Sequence, residues 1–528
     1  MGAHLQLRSV AKPWVAVALI TFVGLVLRIW QIGRVPLWGD EAQTGVIAHW
    51  PYWDLLTQPI DPSGGFYYSL HKALIPDGTS VMASRSISLV AGVLSIPLSY
   101  VTARLAIGHR AALLATALFA LSLPLIDYSQ EDRAYSVLVL MVLLSALGLL
   151  LWGRELDKLR PSLAPLVLFG SATVLAQYTH LVAFFWSITA FHAALSETIH
   201  RGSKRATQLI IGTTVVTCAL LLPEAWRLFA TVSGVGVLGW LPQASGIQFL
   251  QVVADTWLPT AFSGVILFSA VGAGLVGWGW FHRRTLRAWA EGHRFGPTVV
   301  IGLLLFPLFV WLFGYVFSPI FMQRTILPSA PGFMFILAMV GCASGRFVSG
   351  VFVIAYAASV LTQGTMRPRE PWSLAVRQLT SEVKLGDAII VCPTWKYPAL
   401  RAALLKSVPA PAYVVRRGEI LRIERQLGSA PDWAETFYQA ILRDQYRSNL
   451  HLSQTWPAEQ RAVPAPNRIW LIDGQCSEDD LAAINAWTGS ERWTSRSTFG
   501  GVDLQSRISV SLAGTPPVVA RLALVAHR

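Results

Sequence analysis

Two adjacent carboxylates, Asp40 and Glu41, stand shortly after the first long apolar stretch, in the segment Gly33-Arg34-Val35-Pro36-Leu37-Trp38-Gly39-Asp40-Glu41-Ala42. A carboxylate near the end of a membrane helix can take a proton from a hydroxyl, while its neighbour orients that hydroxyl or binds a cation. The sequence therefore makes Asp40 the candidate general base and Glu41 its partner. The alternative is an ordinary solvated loop.

A second charged segment, Gln130-Glu131-Asp132-Arg133-Ala134-Tyr135, lies between two apolar stretches. Glu131 and Tyr135 are four residues apart, so they share a helix face if the second apolar helix begins early. Arg133 can bind a phosphate, because a guanidinium group pairs with two phosphate oxygens at once. The alternative is a charged turn at the tip of a helical hairpin.

Three further side chains are candidates for binding a phosphate or a polar substrate. Arg85 and Arg324 each begin an apolar stretch, and His180 lies in or beside one. An ionisable side chain in a membrane span is a functional candidate by default. The alternatives are interfacial anchoring for the arginines and a contact between helices for His180. Arg28, at the end of the first stretch, is expected to extend toward the interface.

The elements that must position these side chains are membrane helices. The chain has 528 residues, of which 53% are hydrophobic and only 13% are charged, and its mean hydropathy is +0.49. Soluble globular proteins carry about 25% charged residues, so the composition excludes an ordinary cytosolic enzyme, a disordered chain and a collagen-like chain. Residues 1–365 carry 22 basic and 14 acidic residues, whereas residues 366–528 carry 20 and 15. We therefore predict a membrane domain over 1–365 and a soluble domain over 366–528.

Long apolar runs predict about eleven transmembrane helices, near residues 14–31, 84–104, 111–127, 134–152, 162–178, 181–197, 206–222, 261–281, 297–317, 325–342 and 347–364. A cytoplasmic N-terminus places fifteen basic residues on inner segments and six on outer ones, as the positive-inside rule requires. An odd number of spans then places residues 366–528 outside the cytoplasm. We predict a multi-pass protein of the plasma (inner) membrane. Because the positive-inside bias accounts for most of the basic excess of the membrane domain, we predict no nucleic-acid partner. The loop 224–260 is either an interfacial amphipathic helix or a plain connector.

The soluble domain alternates strand and helix signals. Apolar strands are predicted at 387–392, 412–415 and 469–472, and helices at 398–406 and 477–487. This pattern indicates an extracytoplasmic α/β domain with a small parallel sheet. No glycine-rich phosphate loop follows the strands, so no nucleotide is predicted.

The charged motifs, in this order, resemble the GT-C superfamily of glycosyltransferases that use polyprenyl-phosphate sugars. The chain looks most like the branch of dolichyl-phosphate-mannose protein mannosyltransferases and lipid A aminoarabinose transferases. The resemblance covers roughly residues 14–365 and predicts a GT-C-like polytopic α-helical fold. The residues that carry it are Arg28, Gly33 and Asp40-Glu41, then Gln130-Glu131-Asp132-Arg133-Ala134-Tyr135, then Tyr178-Thr179-His180, and finally Arg324 in Phe321-Met322-Gln323-Arg324.

One segment departs from the pattern of that branch. Where the branch has His/Lys-Pro-Pro-Leu-Tyr-Tyr, this chain has Asp61-Pro62-Ser63-Gly64-Gly65-Phe66-Tyr67-Tyr68. The tyrosines and one proline remain, but the basic residue is absent and glycines replace the second proline. Because this region contacts donor or acceptor in such enzymes, the identity of the sugar and of the acceptor stays open.

The resemblance implies transfer of a sugar from a polyprenyl-phosphate donor to an extracytoplasmic protein, lipid or glycan, with inversion at the anomeric carbon. Asp40 is then the general base beside Glu41. No cofactor is predicted; a divalent cation held by His71, His180, Glu131 and Asp132 together with Asp40 is an open alternative. The residues expected to bind the donor phosphate and the substrate are Arg85, Glu131, Arg133, Tyr135, His180, Arg324 and Tyr68.

The rival class is a transporter or flippase of lipid-linked sugars, which also needs many helices. A transporter would place ionisable residues near the middle of the membrane, often with repeat symmetry. In this sequence the acidic residues cluster at the predicted outer helix ends and no repeat is evident, which favours the enzyme.

Overall fold

A computed structural model describes residues 2–35, 37–48, 50–57, 63–75, 80–233, 243–259, 264–317 and 319–364, together with six strands between residues 388 and 513. The chain groups into two compact units. The first unit contains residues 1–32 and 50–366, and the second contains residues 33–49 and 367–528.

Helices make up the described part of the first unit. Pro124, Pro165, Pro297 and Pro331 each stand in the first turn of a helix, where the missing N–H removes no hydrogen bond. In chain order, with α2 in the second unit, the helices are α1 Gly2–Ile29, α2 Gly39–Ala48, α3 Tyr52–Thr57, α4 Gly65–Leu74, α5 Val81–Ser84, α6 Ser86–Ile107, α7 His109–Leu121, α8 Leu123–Asp127, α9 Tyr135–Glu155, α10 Ala164–Thr179, α11 Ala183–Arg201, α12 Lys204–Ser233, α13 Gly246–Trp257, α14 Val265–Phe281, α15 Arg283–Gly292, α16 Gly296–Val316, α17 Gln323–Ile326, α18 Ala330–Ser344 and α19 Arg346–Gln363.

A helix lies at each of the eleven predicted positions. Among the described residues, six helical segments are long and apolar enough to cross a membrane: Ser86–Ile107, Tyr135–Glu155, Lys204–Arg227, Gly296–Val316, Gln323–Ser344 and Arg346–Gln363. Two bent pairs, α7 with α8 and the turn after it (60°) and α14 with α15 (80°), would raise the number to eight. A polytopic helical membrane protein is thus confirmed, while the count of eleven spans stays a prediction.

The helices of the first unit differ in how deeply they are buried. In the apolar windows of Tyr135–Glu155 and Gln323–Ser344, 78% of the residues are buried, against 17% in those of Lys204–Arg227 and Arg346–Gln363. Helix α9 packs against α6 and α10, and α18 packs against α7 and α16. Since lipid is as apolar as leucine, inner and peripheral helices look alike in the sequence.

The second unit contains α2 and a six-stranded sheet. The strands are β1 Ala388–Cys392, β2 Ala412–Arg416, β3 Glu419–Ile423, β4 Ile469–Asp473, β5 Ser495–Phe499 and β6 Ile508–Ala513, in the order β3-β2-β1-β4-β6-β5. The three predicted strands are confirmed, as is the parallel pairing of β1 with β2 and with β4.

The prediction of a parallel sheet holds only for these two pairs, because the other three strand pairs are antiparallel. Only two residues separate β2 from β3, a connection that allows a hairpin but no parallel crossover. The predicted helices at 398–406 and 477–487 lie outside the described residues, so the α/β class of this domain stays a prediction.

Candidate functional site

The segment from Gln130 to Tyr135 is buried rather than exposed at a hairpin tip. Gln130 is 0% exposed and Asp132 is 1% exposed. The Gln130 side-chain amide donates to the backbone carbonyls of Arg28 (3.0 Å) and Trp30 (2.8 Å) at the end of α1. The turn before α9 is therefore fixed to the exit of the first helix.

Arg28 is fully buried, so the prediction that it extends to the interface was wrong. Its Nε donates to Ser129 Oγ (3.2 Å), and its Nη1 donates to the backbone carbonyls of Gly24 and Ala120 (3.1 Å each). A buried cation needs such partners because burial without them is costly. Two of these partners lie 101 and 92 residues further along the chain.

Asp132 stands at the centre of a buried group, here called the Asp132 cluster: Tyr67, His71, Ser88, Asp132 and Arg133. One carboxylate oxygen accepts the Tyr67 hydroxyl (2.7 Å), and the other lies 3.0 Å from His71 Nε2. Tyr67 also lies 3.0 Å from the Ser88 hydroxyl, which donates to the backbone carbonyl of Arg133 (2.8 Å). Helices α4 and α6 thus hold the turn before α9.

Tyr67 acts in this cluster as a hydrogen-bond donor. Burial of its ring, and then the negative charge of Asp132, hold the pKa of Tyr67 well above its usual range. The hydroxyl therefore stays protonated at any working pH. Tyr67 precedes His71 by four residues, which places both on one face of α4.

Arg133 reaches the segment that departs from the glycosyltransferase pattern. Its Nη1 lies 3.4 Å from the Tyr68 hydroxyl, and its Nη2 lies 3.5 Å from Ser63 Oγ. All three residues are buried. The structure thus brings together two predicted site residues, Arg133 and Tyr68, and adds Ser63.

The Tyr178-Thr179-His180 motif is joined to the same segment by backbone pairing. Ser63 and His180 form an isolated antiparallel bridge, and the N–H of Gly64 donates to the backbone carbonyl of Thr179 (2.8 Å). A Cβ at position 64 would lie 2.0 Å from the backbone oxygen of Tyr178. Glycine at this position is therefore required by a close approach of two backbones.

His180, Tyr135 and Arg324 meet around the Tyr135 ring. The His180 and Tyr135 rings are 5.6 Å apart, and the Arg324 guanidinium carbon lies 5.8 Å from the Tyr135 ring centre. A cation at that distance is attracted by the face of the ring. His180 Nδ1 also accepts a hydrogen bond from the N–H of Val182 (3.3 Å).

Glu131 does not share a helix face with Tyr135, because α9 begins only at Tyr135 and Glu131 has an extended backbone (φ −112°, ψ 142°). The early helix start that a shared face required is therefore not observed. Glu131 itself is buried, at 4% exposure. The extended backbone turns the chain from the bend after α8 into α9.

Arg85 is buried between α5 and α6, so the alternative of an interfacial anchor is wrong for it. Its Nη1 donates to the backbone carbonyl of Ile32 (2.6 Å), just beyond the end of α1. Arg85 thus fixes the exit of the first helix from one side, as Gln130 does from another.

Sequence reasoning missed a buried ion pair. Arg227 donates from Nε and Nη2 to both carboxylate oxygens of Glu224 (2.7 Å each), and both side chains are 1% exposed. Arg227 Nη1 lies 3.5 Å from the backbone carbonyl of Ser63. Residues 224–233 continue α12 beyond Pro223, so for this part of 224–260 the alternative of a plain connector is wrong. The spacing of three residues was the available signal.

Asp40 and Glu41 occupy the first turn of α2, within the second unit. Glu41 is 0% exposed, and its carboxylate accepts the backbone N–H of Trp38 (3.3 Å). The backbone carbonyl of Asp40 accepts the Thr44 hydroxyl (3.1 Å), and the Asp40 side chain is half-buried. Carboxylates are favoured at a helix N-terminus by the helix dipole, so the pair is not an ordinary solvated loop.

The chain superimposes on the crystal structure of ArnT from Cupriavidus metallidurans bound to undecaprenyl phosphate with a TM-score of 0.50 and 14% identity, over 95% of this chain and 98% of that chain. No protein-family profile matches the sequence, and no curated protein sequence matches it.

The chain has the fold of this ArnT structure. The predicted resemblance is therefore confirmed at the level of the fold. A second similar structure is archaeal oligosaccharyltransferase AglB from Archaeoglobus fulgidus with an inhibitory peptide and a dolichol-phosphate, with a TM-score of 0.48 and 11% identity over 90% of this chain and 71% of that chain. A third is arabinofuranosyltransferase AftD from Mycobacteria, with a TM-score of 0.45 and 14% identity over 94% of this chain and 39% of that chain.

The described residues contain no group of three or more His, Cys, Asp or Glu side chains placed to hold a metal ion. His71 and Asp132, two members of the suggested cation site, instead bind each other. We therefore assign no step to a metal.

Proposed function

We propose that this protein is a membrane glycosyltransferase that transfers a sugar from a polyprenyl-phosphate donor to an extracytoplasmic acceptor. The observation that carries the proposal is the buried Asp132 cluster, which holds Arg133 at the end of a helix bundle with the GT-C fold. The ArnT structure contains undecaprenyl phosphate, which supports a lipid phosphate as the carrier.

The proposed reaction is an inverting displacement with Asp40 as the general base. The carboxylate of Asp40 takes the proton of the acceptor hydroxyl, and the hydroxyl oxygen attacks the anomeric carbon. The bond between that carbon and the phosphate oxygen breaks, and its electron pair leaves with the lipid phosphate. Glu41, bound to the N–H of Trp38, fixes the turn that carries Asp40.

The departing phosphate needs positive charge that is already in place. Arg133 is held beside Tyr68, and Arg324 lies over the Tyr135 ring, so both guanidinium groups are oriented before the donor binds. Preorganised donors of this kind stabilise charge that develops in the transition state. We assign Glu131, Tyr135, His180 and Tyr68 to substrate binding around them, and Arg85 to holding the end of α1 through Ile32.

The topology that suits this reaction has eleven spans, a cytoplasmic N-terminus and an extracytoplasmic domain over 366–528, in the plasma membrane. Labelling of single introduced cysteines in intact cells tests it. A cysteine in the soluble domain should react with a membrane-impermeant reagent, and one beside Arg284 should not. The opposite pattern would exclude this topology.

The function is tested by incubating purified protein with a panel of synthetic polyprenyl-phosphate sugars and measuring sugar release or transfer. We expect turnover of one donor by the wild type and loss of turnover in a folded Asp40→Asn variant. The matched control is Asp54→Asn, which changes another half-buried carboxylate, in the first turn of α3.

Three outcomes of this experiment differ in meaning. Equal turnover by wild type and Asp40→Asn would keep the enzyme class and exclude Asp40 as the base. Loss of turnover in both Asp40→Asn and Asp54→Asn would show a general loss of structure. If the wild type shows no turnover but moves the lipid across a bilayer, the protein is a flippase of lipid-linked sugars and not a glycosyltransferase.

A further inference from the structure

The first unit has an apolar groove beside α14, with a volume of about 370 Å³. Its lining, here called the α14 groove, is contributed by α13, α14, α15, α16 and α18 and contains no charged residue. Pockets that bind small ligands have volumes of about 300–1,000 Å³, so the groove is large enough for part of a lipid chain.

The groove exists because α14 packs loosely against the bundle. None of its residues is buried. Gly272, Gly274 and Gly277 face open space, since a Cβ at these positions would meet nothing within 4 Å. A helix that left such a gap in water would collapse onto its neighbours, but in a membrane an acyl chain can fill the gap at no hydrophobic cost.

The two ends of the groove differ. At one end Trp257 stacks on Phe333 (4.9 Å, 15°) and lies 6.0 Å from the Phe268 ring. At the other end the lining includes Gly279 and Leu286, the latter on α15. The twelve residues from Phe268 to Gly279 span about 16 Å of helix, so the groove follows most of one leaflet.

Helix α15 brings positive charge to the Leu286 end of the groove. Arg283, Arg284 and Arg287 lie on neighbouring positions of one helix face and are exposed. None of the three forms an ion pair with a carboxylate among the residues that the structure describes, and Arg283 stacks on the Trp280 ring (5.2 Å). Such basic surfaces at the membrane interface attract anionic lipid headgroups.

We propose that the α14 groove binds one anionic phospholipid, with an acyl chain along α14 and the phosphate at Arg283, Arg284 and Arg287. The lipid comes from the leaflet that α15 faces, which the proposed topology makes the inner one. This site is separate from the Asp132 cluster and does not depend on the proposed transfer reaction. An occupant explains why a loosely packed helix with four glycines is retained against the bundle.

The test uses purified full-length protein in nanodiscs that contain phosphatidylglycerol and phosphatidylcholine with identical acyl chains in equal amounts. Native mass spectrometry after extraction counts the lipids that stay bound. We expect the wild type to retain one phosphatidylglycerol in preference to phosphatidylcholine. Each arginine replaced in Arg284→Gln and Arg287→Gln should reduce that preference about fivefold, or about 1 kcal/mol. Arg346→Gln, at an exposed arginine of α19, should leave it unchanged.

Filling the groove provides the matched pair of variants. Gly272→Leu places a side chain in the groove, whereas Gly274→Leu changes an equally open glycine of the same helix that does not line it. We expect the bound phospholipid to be lost in the first variant and kept in the second. If Gly272→Leu does not elute as a folded protein, Gly279→Leu fills the other end of the groove.

Several results would overturn the proposal. Equal retention of the two phospholipids by the wild type would show only annular lipid. Retention of phosphatidylglycerol by the filled variants would place the lipid elsewhere. Complete displacement by undecaprenyl phosphate at equal concentration would assign the groove to an isoprenoid chain.

Discussion

The Asp132 cluster and the α14 groove lie beside helices that are both strongly apolar in sequence, yet their surroundings are opposite. Helix α9, which follows the cluster, is among the most buried helices, whereas no residue of α14 is buried. In the cluster Asp132 binds Tyr67 and His71, while the groove is left to be filled by lipid. The apolar character of a membrane helix therefore does not show whether it packs inside the protein or faces lipid. In this chain the polar residues at the helix ends distinguish the two cases.

The contrast extends to the charges of the two regions. Asp132 and Arg133 are buried and bound on several sides, whereas Arg284 and Arg287 are exposed on α15. Buried charges are costly unless they are paired, so the cluster tolerates little change. The arginines of α15 should tolerate replacement, apart from their effect on lipid binding.

The largest effect is expected from Glu224→Gln, which leaves Arg227 buried without its carboxylate. Breaking a buried pair in this way destabilises proteins by about 3–5 kcal/mol. Thermal unfolding in detergent should show a large decrease in the midpoint temperature. Lys158→Gln breaks a pair whose lysine is 56% exposed, and exposed pairs contribute about 0–1 kcal/mol. Equal decreases in both variants would contradict the assigned difference in burial.

The next largest effect is expected from Arg133→Gln, and it is a decrease in the turnover rate rather than in stability. Loss of one preorganised donor to developing charge lowers turnover by about 10²–10³. The measurement is the initial rate with the donor identified in the panel. Arg287→Gln, at the groove, should turn over like the wild type. If it lost as much activity as Arg133→Gln, the functional separation of the two regions would be wrong.

Gly64→Ala should have a moderate effect, because its Cβ would lie 2.0 Å from the backbone oxygen of Tyr178. Relief of such an overlap costs about 1–3 kcal/mol. We expect a lower melting temperature together with lower turnover, since the Ser63–His180 bridge carries the predicted site residue His180. An unchanged turnover number in a protein that melts earlier would separate this bridge from the reaction.

The smallest effect is expected from Gly272→Ala in the groove. The new methyl group would meet nothing within 4 Å, and alanine favours a helix over glycine by about 1 kcal/mol. The melting temperature should stay the same or rise slightly. A decrease as large as that of Gly64→Ala would mean that the groove is packed against a part of the chain outside the described residues.

The positions of the helices could be predicted from the sequence, because the apolar runs that mark them are local. Long apolar runs place α6, α9 and α16, and the Gln130–Tyr135 motif marks the turn before α9. The burial of that motif could not be predicted, since a charged turn in solvent has the same local pattern.

Partners that are distant in the chain explain the remaining errors. Arg28 binds Ser129 and Ala120, and Arg227 reaches Ser63, 164 residues earlier. Nothing in a single sequence pairs these residues. The proposed role of Asp40 likewise stays a prediction, because it depends on the acceptor and not on the fold alone.

The hydrogen bonds of Arg28 also bear on how the chain enters the membrane. Ala120 and Ser129 are synthesised 92 and 101 residues after Arg28. At a synthesis rate of about 5–20 residues per second, the first helix waits about 5–20 s before its arginine can find these partners. During that interval the guanidinium group needs water or lipid headgroups near the insertion machinery. The first helix is thus expected to settle at its final depth only after α7 and the turn preceding α9 have been inserted.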